Sequence, residues 1–344
     1  MVKTVLKVPW VMNIILTCAS LIISGTIMEL TVRNLGFAKH MITDPAFESS
    51  SSPGVIYRYK ANFAGLLQGP TEVRTNSFGC RDREYSLKKE PGVTRIVVLG
   101  DSITFGQGVK EEETFPKVME KSLNKTLYPS HIEIINFGVQ GYTIKNEVAR
   151  YLTEARQFKP DVAILASISE DLNMTRELNF VDEQGFLTKK GIADSRLKRL
   201  MRRFHTAYLI KEIYYKKILI HTRLYRSQAL TSDNIDERLT LLQKEVRKFV
   251  AACEKDRAIP IFALLDLEPS VFSNTILVTL RRLFPDLLIV DIPSFMAGKG
   301  GDKLRIPRDG HPNKEAHEII SDVLIDQLRR VQIFRSTSNR PPEQ

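Results

Sequence analysis

Ser102 and, far downstream, Asp309 and His311 are the residues of this 344-residue sequence whose types could together perform nucleophilic catalysis. A serine hydroxyl is a weak nucleophile until an imidazole takes its proton and a carboxylate orients that imidazole. Ser102 closes the run Arg95-Ile-Val-Val-Leu-Gly-Asp-Ser102, and His311 lies within Asp309-Gly-His-Pro-Asn313. A short β-branched run bounded by glycine predicts a buried parallel strand, and open α/β sheets bind ligands in the crevice beyond the carboxyl ends of such strands. The sequence therefore places Ser102 at a crevice.

Gly100-Asp-Ser-Ile103 and Asp309-Gly-His-Pro-Asn313 resemble blocks I and V of the SGNH (GDSL-type) hydrolases. Asn136-Phe-Gly-Val-Gln-Gly141, lying between them, resembles block II, so the resemblance spans roughly residues 95–330. Upstream, Asn76-Ser-Phe-Gly-Cys-Arg-Asp82 resembles a segment that often precedes the serine block in membrane-anchored members. The resemblance implies a serine ester hydrolase with Ser102 as nucleophile, His311 as base and Asp309 as the orienting carboxylate. It also implies an oxyanion hole made by the backbone N–H groups of Ser102 and Gly141 and the side-chain amide of a block III asparagine.

Two positions depart from the family pattern. The aspartate commonly stands three residues before the histidine, where this chain has Arg308, and Asp309 stands two before it. The block III asparagine position, after the strand-like Val162–Ala166, is held by Glu170. An ionised carboxylate accepts hydrogen bonds and cannot donate one. Either Glu170 is protonated or turned away toward the basic residues that follow, or Asn173 reaches in, or the hole runs on two donors.

The elements that must position these residues alternate. Strands are expected at Ile96–Leu99, Ile132–Ile135, Val162–Ala166, Ile259–Leu265 and Leu287–Asp291, with helices at Thr114–Leu123, Lys145–Phe158, Asp236–Lys255, Ile276–Leu283 and Asn313–Arg330. Such alternation implies right-handed βαβ units. The expected fold is a flavodoxin-like three-layer α/β sandwich of about five parallel strands, preceded by an N-terminal transmembrane helix.

That helix is read from Val8–Met28, which holds no charged residue and matches the ~20 residues needed to cross a bilayer. Lys3 and Lys7 precede it and Glu29 and Arg33 follow, so the positive-inside rule places the catalytic domain outside the cytoplasm, on a single-pass cell-membrane protein. The run is longer than a signal peptide's apolar region and ends in no clear small-x-small cleavage site. The layout expected is an anchor over 1–33, a linker over 34–60 carrying Ser49–Pro53, a hydrolase-like domain over 61–335 and a disordered tail over 336–344.

Residues 172–235 form an insertion, far longer than the usual connection of such folds. Ten Lys and Arg between Arg196 and Arg226 face one acid, Glu212, and carry nearly the whole excess of +10. Leu197, Leu200, Met201, Phe204 and Tyr208 fall at helical spacing. They predict either an amphipathic helix packed on the core or a cap drawn to anionic headgroups or an acidic polymer. No nucleic-acid motif is present. His40, His131, His205, His221 and His317 lack ligand spacing, so no metal and no cofactor is expected, and Cys80 and Cys253 are expected as free thiols. The function expected is hydrolysis of carboxylic esters, acetyl above all, on an envelope polysaccharide or a lipid. A polysaccharide O-acyltransferase and a catalytically impaired binding or scaffold protein are the alternatives.

Overall fold

The computed structural model describes residues 9–37, 42–67, 71–127, 131–173, 179–189, 200–214, 232–307 and 309–330. In chain order, α1 (Pro9–Leu35) precedes two short hairpins, β1 (Phe47–Ser49) with β2 (Tyr57–Tyr59) and β3 (Ala64–Leu66) with β4 (Glu72–Arg74). The α/β alternation follows: β5 (Val93–Gly100), α2 (Ser102–Phe105), α3 (Phe115–Thr126), β6 (His131–Gly138), α4 (Ile144–Thr153) and β7 (Val162–Ser167). After a third hairpin, β8 (Asn179–Val181) with β9 (Leu187–Lys189), come α5 (His205–Tyr214), α6 (Ser232–Asp256), β10 (Ile259–Leu264), α7 (Val271–Leu283), β11 (Leu288–Asp291), α8 (Ile292–Met296) and α9 (Lys314–Arg330).

β5 is buried on both faces, which is why its sequence is a continuous apolar run rather than an alternating one. Its side chains point alternately to two cores. Ile96 and Val98 pack with Phe115, Met119 and Leu123 of α3 and Ile320 and Leu324 of α9. Val97 and Leu99 pack with Val148 and Tyr151 of α4, Val246 and Phe249 of α6, and Ile276 of α7. The sheet runs β11-β10-β7-β5-β6 with every pairing parallel, and β5 lies between β6 and β7 with Val97 opposite Ile135 and Ala163. Numbered along the sheet's own strands this is the order 2-1-3-4-5, whose topological switch lies beside β5. The chain thus has the flavodoxin-like architecture with five parallel strands, and Ser102 follows directly on the strand at the switch.

One reading of the layout is corrected. The stretch 34–60 is not a free linker over its second half: Ala46, Phe47, Val55, Tyr57 and Tyr59 are almost wholly buried, and Tyr59 stacks on Phe105 of α2 at 4.6 Å between ring centroids. Alternating aromatics on three-residue strands supply the apolar face, and the Ser-rich run supplies the turn. In the described part of the insertion, Leu200, Met201 and Phe204 are exposed, and α5 groups with α1 in one compact unit. Residues 174–178, 190–199 and 215–231 of the insertion, Arg308 and the tail 336–344 lie outside the described residues.

His317 on α9 shows the strength of the core. It is fully buried, its Nδ1 accepts from the backbone N–H of Phe115 at 3.2 Å, and among the described residues its Nε2 has no partner. Burial first, then the neighbouring Arg81 and the nearby His311, push its pKa down to about 3. The imidazole stays neutral in the folded chain, while the unfolded chain takes up a proton near its ordinary ~6.5. Stability falls as pH falls wherever the unfolded state binds more protons, so the loss begins near pH 6.5 and ends near pH 3, at ~1.4 kcal/mol per pH unit. Between pH 6.5 and 5 the wild type is expected to lose about 2 kcal/mol more urea stability than His317→Gln. Equal slopes for the two proteins would show that the folded state accommodates the charge.

Candidate active site

Asp101 caps α2, its Oδ1 accepting from Ile103 N–H at 2.8 Å, and so fixes the turn that lifts Ser102 off the end of β5. Two supports hold that turn. The buried Arg81 donates to the carbonyls of Phe105, Gly106 and Val109 at 3.2, 2.5 and 2.7 Å. Asn136, at the end of β6, donates to the carbonyl of Thr104 at 2.8 Å. Gly138 is required here by close approach, because a Cβ would lie 2.2 Å from the backbone nitrogen of Phe105. Arg81 belongs to the Asn76–Asp82 segment, whose Asp82 accepts from Asn136 N–H at 3.0 Å and from Lys117 Nζ at 2.8 Å. The segment thus braces the serine turn from behind.

His311 arrives from the loop before α9. Its Nε2 stands 2.8 Å from Ser102 Oγ, and its Nδ1 is hydrogen-bonded to Asp309 Oδ1. Gly310 makes the two-residue spacing work: at φ +87° it takes the left-handed conformation, and the tight turn lays the Asp309 carboxylate on the following imidazole. The same carboxylate oxygen accepts from the His311 backbone N–H at 3.1 Å. Ser102 Oγ also lies 3.3 Å from Asp101 Oδ2, a longer contact than the one to His311. With Nδ1–H given to Asp309, Nε2 is the acceptor that Ser102 needs.

What holds Asp309 has no signature in the sequence. Its Oδ2 accepts from Gln107 Nε2 at 3.1 Å, Gln107 Oε1 accepts from Gln140 Nε2 at 2.5 Å, and the Gln140 carbonyl accepts from Tyr57 OH at 2.9 Å. A bonded chain therefore runs from the β1–β2 hairpin to the serine. Desolvation works against the charge on Asp309, but the hydrogen bond and charge of His311 and the Gln107 amide outweigh it and hold the carboxyl below its ordinary value.

Ser102, Asp309 and His311 open on a cleft of about 440 Å³. Ser169, Glu170, Asp266, Glu268, Ser270 and Arg305 are among its lining residues. Asp266 ties the wall together by accepting from Ser169 N–H and Ser273 Oγ, each at 2.9 Å. Glu170 is among the residues that line the cleft. Asn173 and Gly141 do not line it. Asn173 is buried and donates its amide to Glu170 Oε1 at 3.3 Å, and Gly141 sits beyond β6 beside Asn179 and Tyr57. Among the described residues no cluster of His, Cys, Asp and Glu is arranged to hold a metal ion.

Residues 98–319 match the sequence profile of the GDSL-like lipase/acylhydrolase family. The chain belongs to that family. It is a GDSL-type ester hydrolase, and the match runs from β5 past the His311 loop, across both ends of the site. No curated protein matches the chain significantly. Solved structures that it is similar to include a lipolytic protein of the G-D-S-L family from Desulfitobacterium hafniense DCB-2, at 18% identity over 68% of this chain and 99% of that one, TM-score 0.40. Esterase EstA from a Pseudoalteromonas species is similar at 15% identity over 69% and 98%, TM-score 0.43. A two-domain esterase active on acetylated mannans is similar at 17% identity over 73% and 51%, TM-score 0.42.

Proposed function

We propose that this GDSL hydrolase is anchored by α1 and removes short acyl groups, acetyl above all, from hydroxyl-rich envelope polysaccharide outside the cytoplasm. The observation that carries the reading is the Ser102–His311–Asp309 chain opening on a small cleft in which carboxylates and hydroxyls stand opposite a short apolar side. Ser102 Oγ attacks the ester carbonyl carbon while His311 Nε2 takes its proton, and the imidazolium is stabilised by Asp309. The tetrahedral oxyanion is met by the Ser102 backbone N–H, the implied donor that borders the cleft. Collapse returns the proton from His311 to the departing sugar oxygen and leaves an acyl-serine, which water cleaves by the same steps. Glu170, which cannot donate to an oxyanion as a carboxylate, instead presents an acceptor suited to a sugar hydroxyl.

A long acyl chain needs a largely apolar pocket, and Ile103, Ile168, Leu267 and Pro312 are the apolar side of this one. For the anchor, α1 contains a span, Trp10–Leu35, of mean hydropathy 2.0, long and apolar enough to cross a membrane, a test that a signal sequence also passes. The flanking charges supply the orientation. The test is acetate release by the purified full-length protein. An O-acetylated neutral polysaccharide should be turned over with kcat/KM at least about 100-fold above that for decanoyl esters, a ratio of ~2.7 kcal/mol. Preference for the long chain would overturn the substrate class. Transfer of acetyl to an added sugar in place of water would make the enzyme an acyltransferase, and failure to react with a fluorophosphonate would make it a binding protein.

A further inference from the structure

α5 carries an exposed apolar face. Ile210, Ile213 and Tyr214 are exposed by 57%, 48% and 49%, and positions i, i+3 and i+4 share one face of a helix. Leu200, Met201 and Phe204, just before α5, are exposed as well. A cluster of exposed large apolar side chains marks an interaction surface.

The place of that surface is set by Glu29 of α1. Its Oε1 accepts from His205 N–H at 2.9 Å, and its Oε2 accepts from Thr206 N–H at 3.0 Å and Thr206 Oγ1 at 2.8 Å. The carboxylate satisfies amides that the first turn of α5 would leave unpaired and complements the helix dipole. Glu29 is also the first charged residue after the apolar run Val8–Met28. At 1.5 Å per residue that run covers ~30 Å, the thickness of a bilayer's hydrocarbon core. With α1 crossing the bilayer, Glu29 stands where hydrocarbon gives way to headgroups, and α5 begins at that level.

We propose that α5 is a second membrane element, an interfacial helix whose Ile210, Ile213 and Tyr214 face enters the boundary between acyl chains and headgroups of the bilayer that α1 crosses. This rests on the reading of α1 as an anchor. Lipid is favoured as the occupant by continuity with α1 at Glu29 and by charge, since Arg202, Arg203 and Lys211 accompany an apolar face as in helices that lie on membranes.

The test uses the full-length chain with Cys18→Ser, reconstituted in nanodiscs of phosphatidylcholine and phosphatidylglycerol sized for one copy. Cys80 and Cys253 are buried and their thiols are pushed up to about 12, so an added cysteine takes a thiol-reactive, environment-sensitive dye selectively. Dye at Ile22→Cys and at Ile213→Cys should emit blue-shifted and be quenched by lipid-borne quenchers, and dye at Lys211→Cys should be quenched less than half as much. Glu29→Ala should cut the quenching at position 213 at least threefold and leave that at position 22 unchanged. If position 22 is quenched while position 213 emits as in water, the interfacial helix is refuted and the anchor stands. If neither is quenched, the anchor itself fails and the proposal falls with it. Quenching at position 213 that requires two copies in one disc would assign the face to a second chain and overturn lipid as its occupant.

Discussion

Ser102→Ala and His311→Ala are each expected to lower kcat for ester hydrolysis by about 10⁵–10⁶-fold, and the double variant to be at most a few-fold worse than either. The near-equality follows from geometry. Ser102 Oγ is useful only while His311 Nε2, 2.8 Å away, can take its proton, and His311 has no other proton to move once that hydroxyl is gone. Losses within such a unit do not add. Fluorophosphonate labelling should vanish in Ser102→Ala. Thermal stability should change little, because the Ser102 hydroxyl touches Asp101 and His311 and no core group. Multiplying losses in the double variant would mean that each residue works alone, and the proposed mechanism would be wrong.

The α/β alternation was legible because a central parallel strand is buried on both faces and must be written in apolar, β-branched residues. Val97 and Val98 point into opposite cores, and both had to be valine-like. The same logic fails for the β1–β2 hairpin. Its strands are three residues long, and its apolar face is shared among Phe47, Tyr57 and Tyr59 across an intervening Ser-rich turn, so no local window carries a period. The hairpin reads as linker for that reason, although Tyr57 OH donates to the carbonyl of Gln140, in the hydrogen-bond chain that leads to Asp309.

At the site, residue types with intrinsic chemistry were readable, whereas the groups that orient them were not. Gln107 has no spacing signature relative to Asp309, and only the fold brings it within 3.1 Å. The departure at Glu170 was visible in sequence, but its direction depended on the short 3₁₀ turn Ser169–Leu172, where Asn173 donates to it. Ser167, the last residue of β7, and Asp266, just beyond the end of β10, close that turn through Leu265 N–H to the Ser167 carbonyl and Ser169 N–H to the Asp266 carboxylate, each at 2.9 Å.

Asp309→Asn is expected to lower kcat by about 10⁴-fold at neutral pH while leaving substrate KM nearly unchanged. Asp309 accepts at His311 Nδ1 and so requires the proton to be there, which leaves Nε2 free to accept from Ser102. An asparagine held by the same Gly310 turn can present its amide N–H to Nδ1 instead. That reverses the tautomer and puts a proton on the nitrogen that must accept one. The geometry survives and the base is lost, so the defect belongs in kcat. The hydrogen bonds from His311 and the Gln107 amide, against desolvation, hold the Asp309 carboxyl below its ordinary value, so the carboxylate is kept as the acceptor that Nδ1–H requires. A wild-type kcat in Asp309→Asn would show that another carboxylate orients His311 in solution, and the two-residue spacing would then be a turn and nothing more.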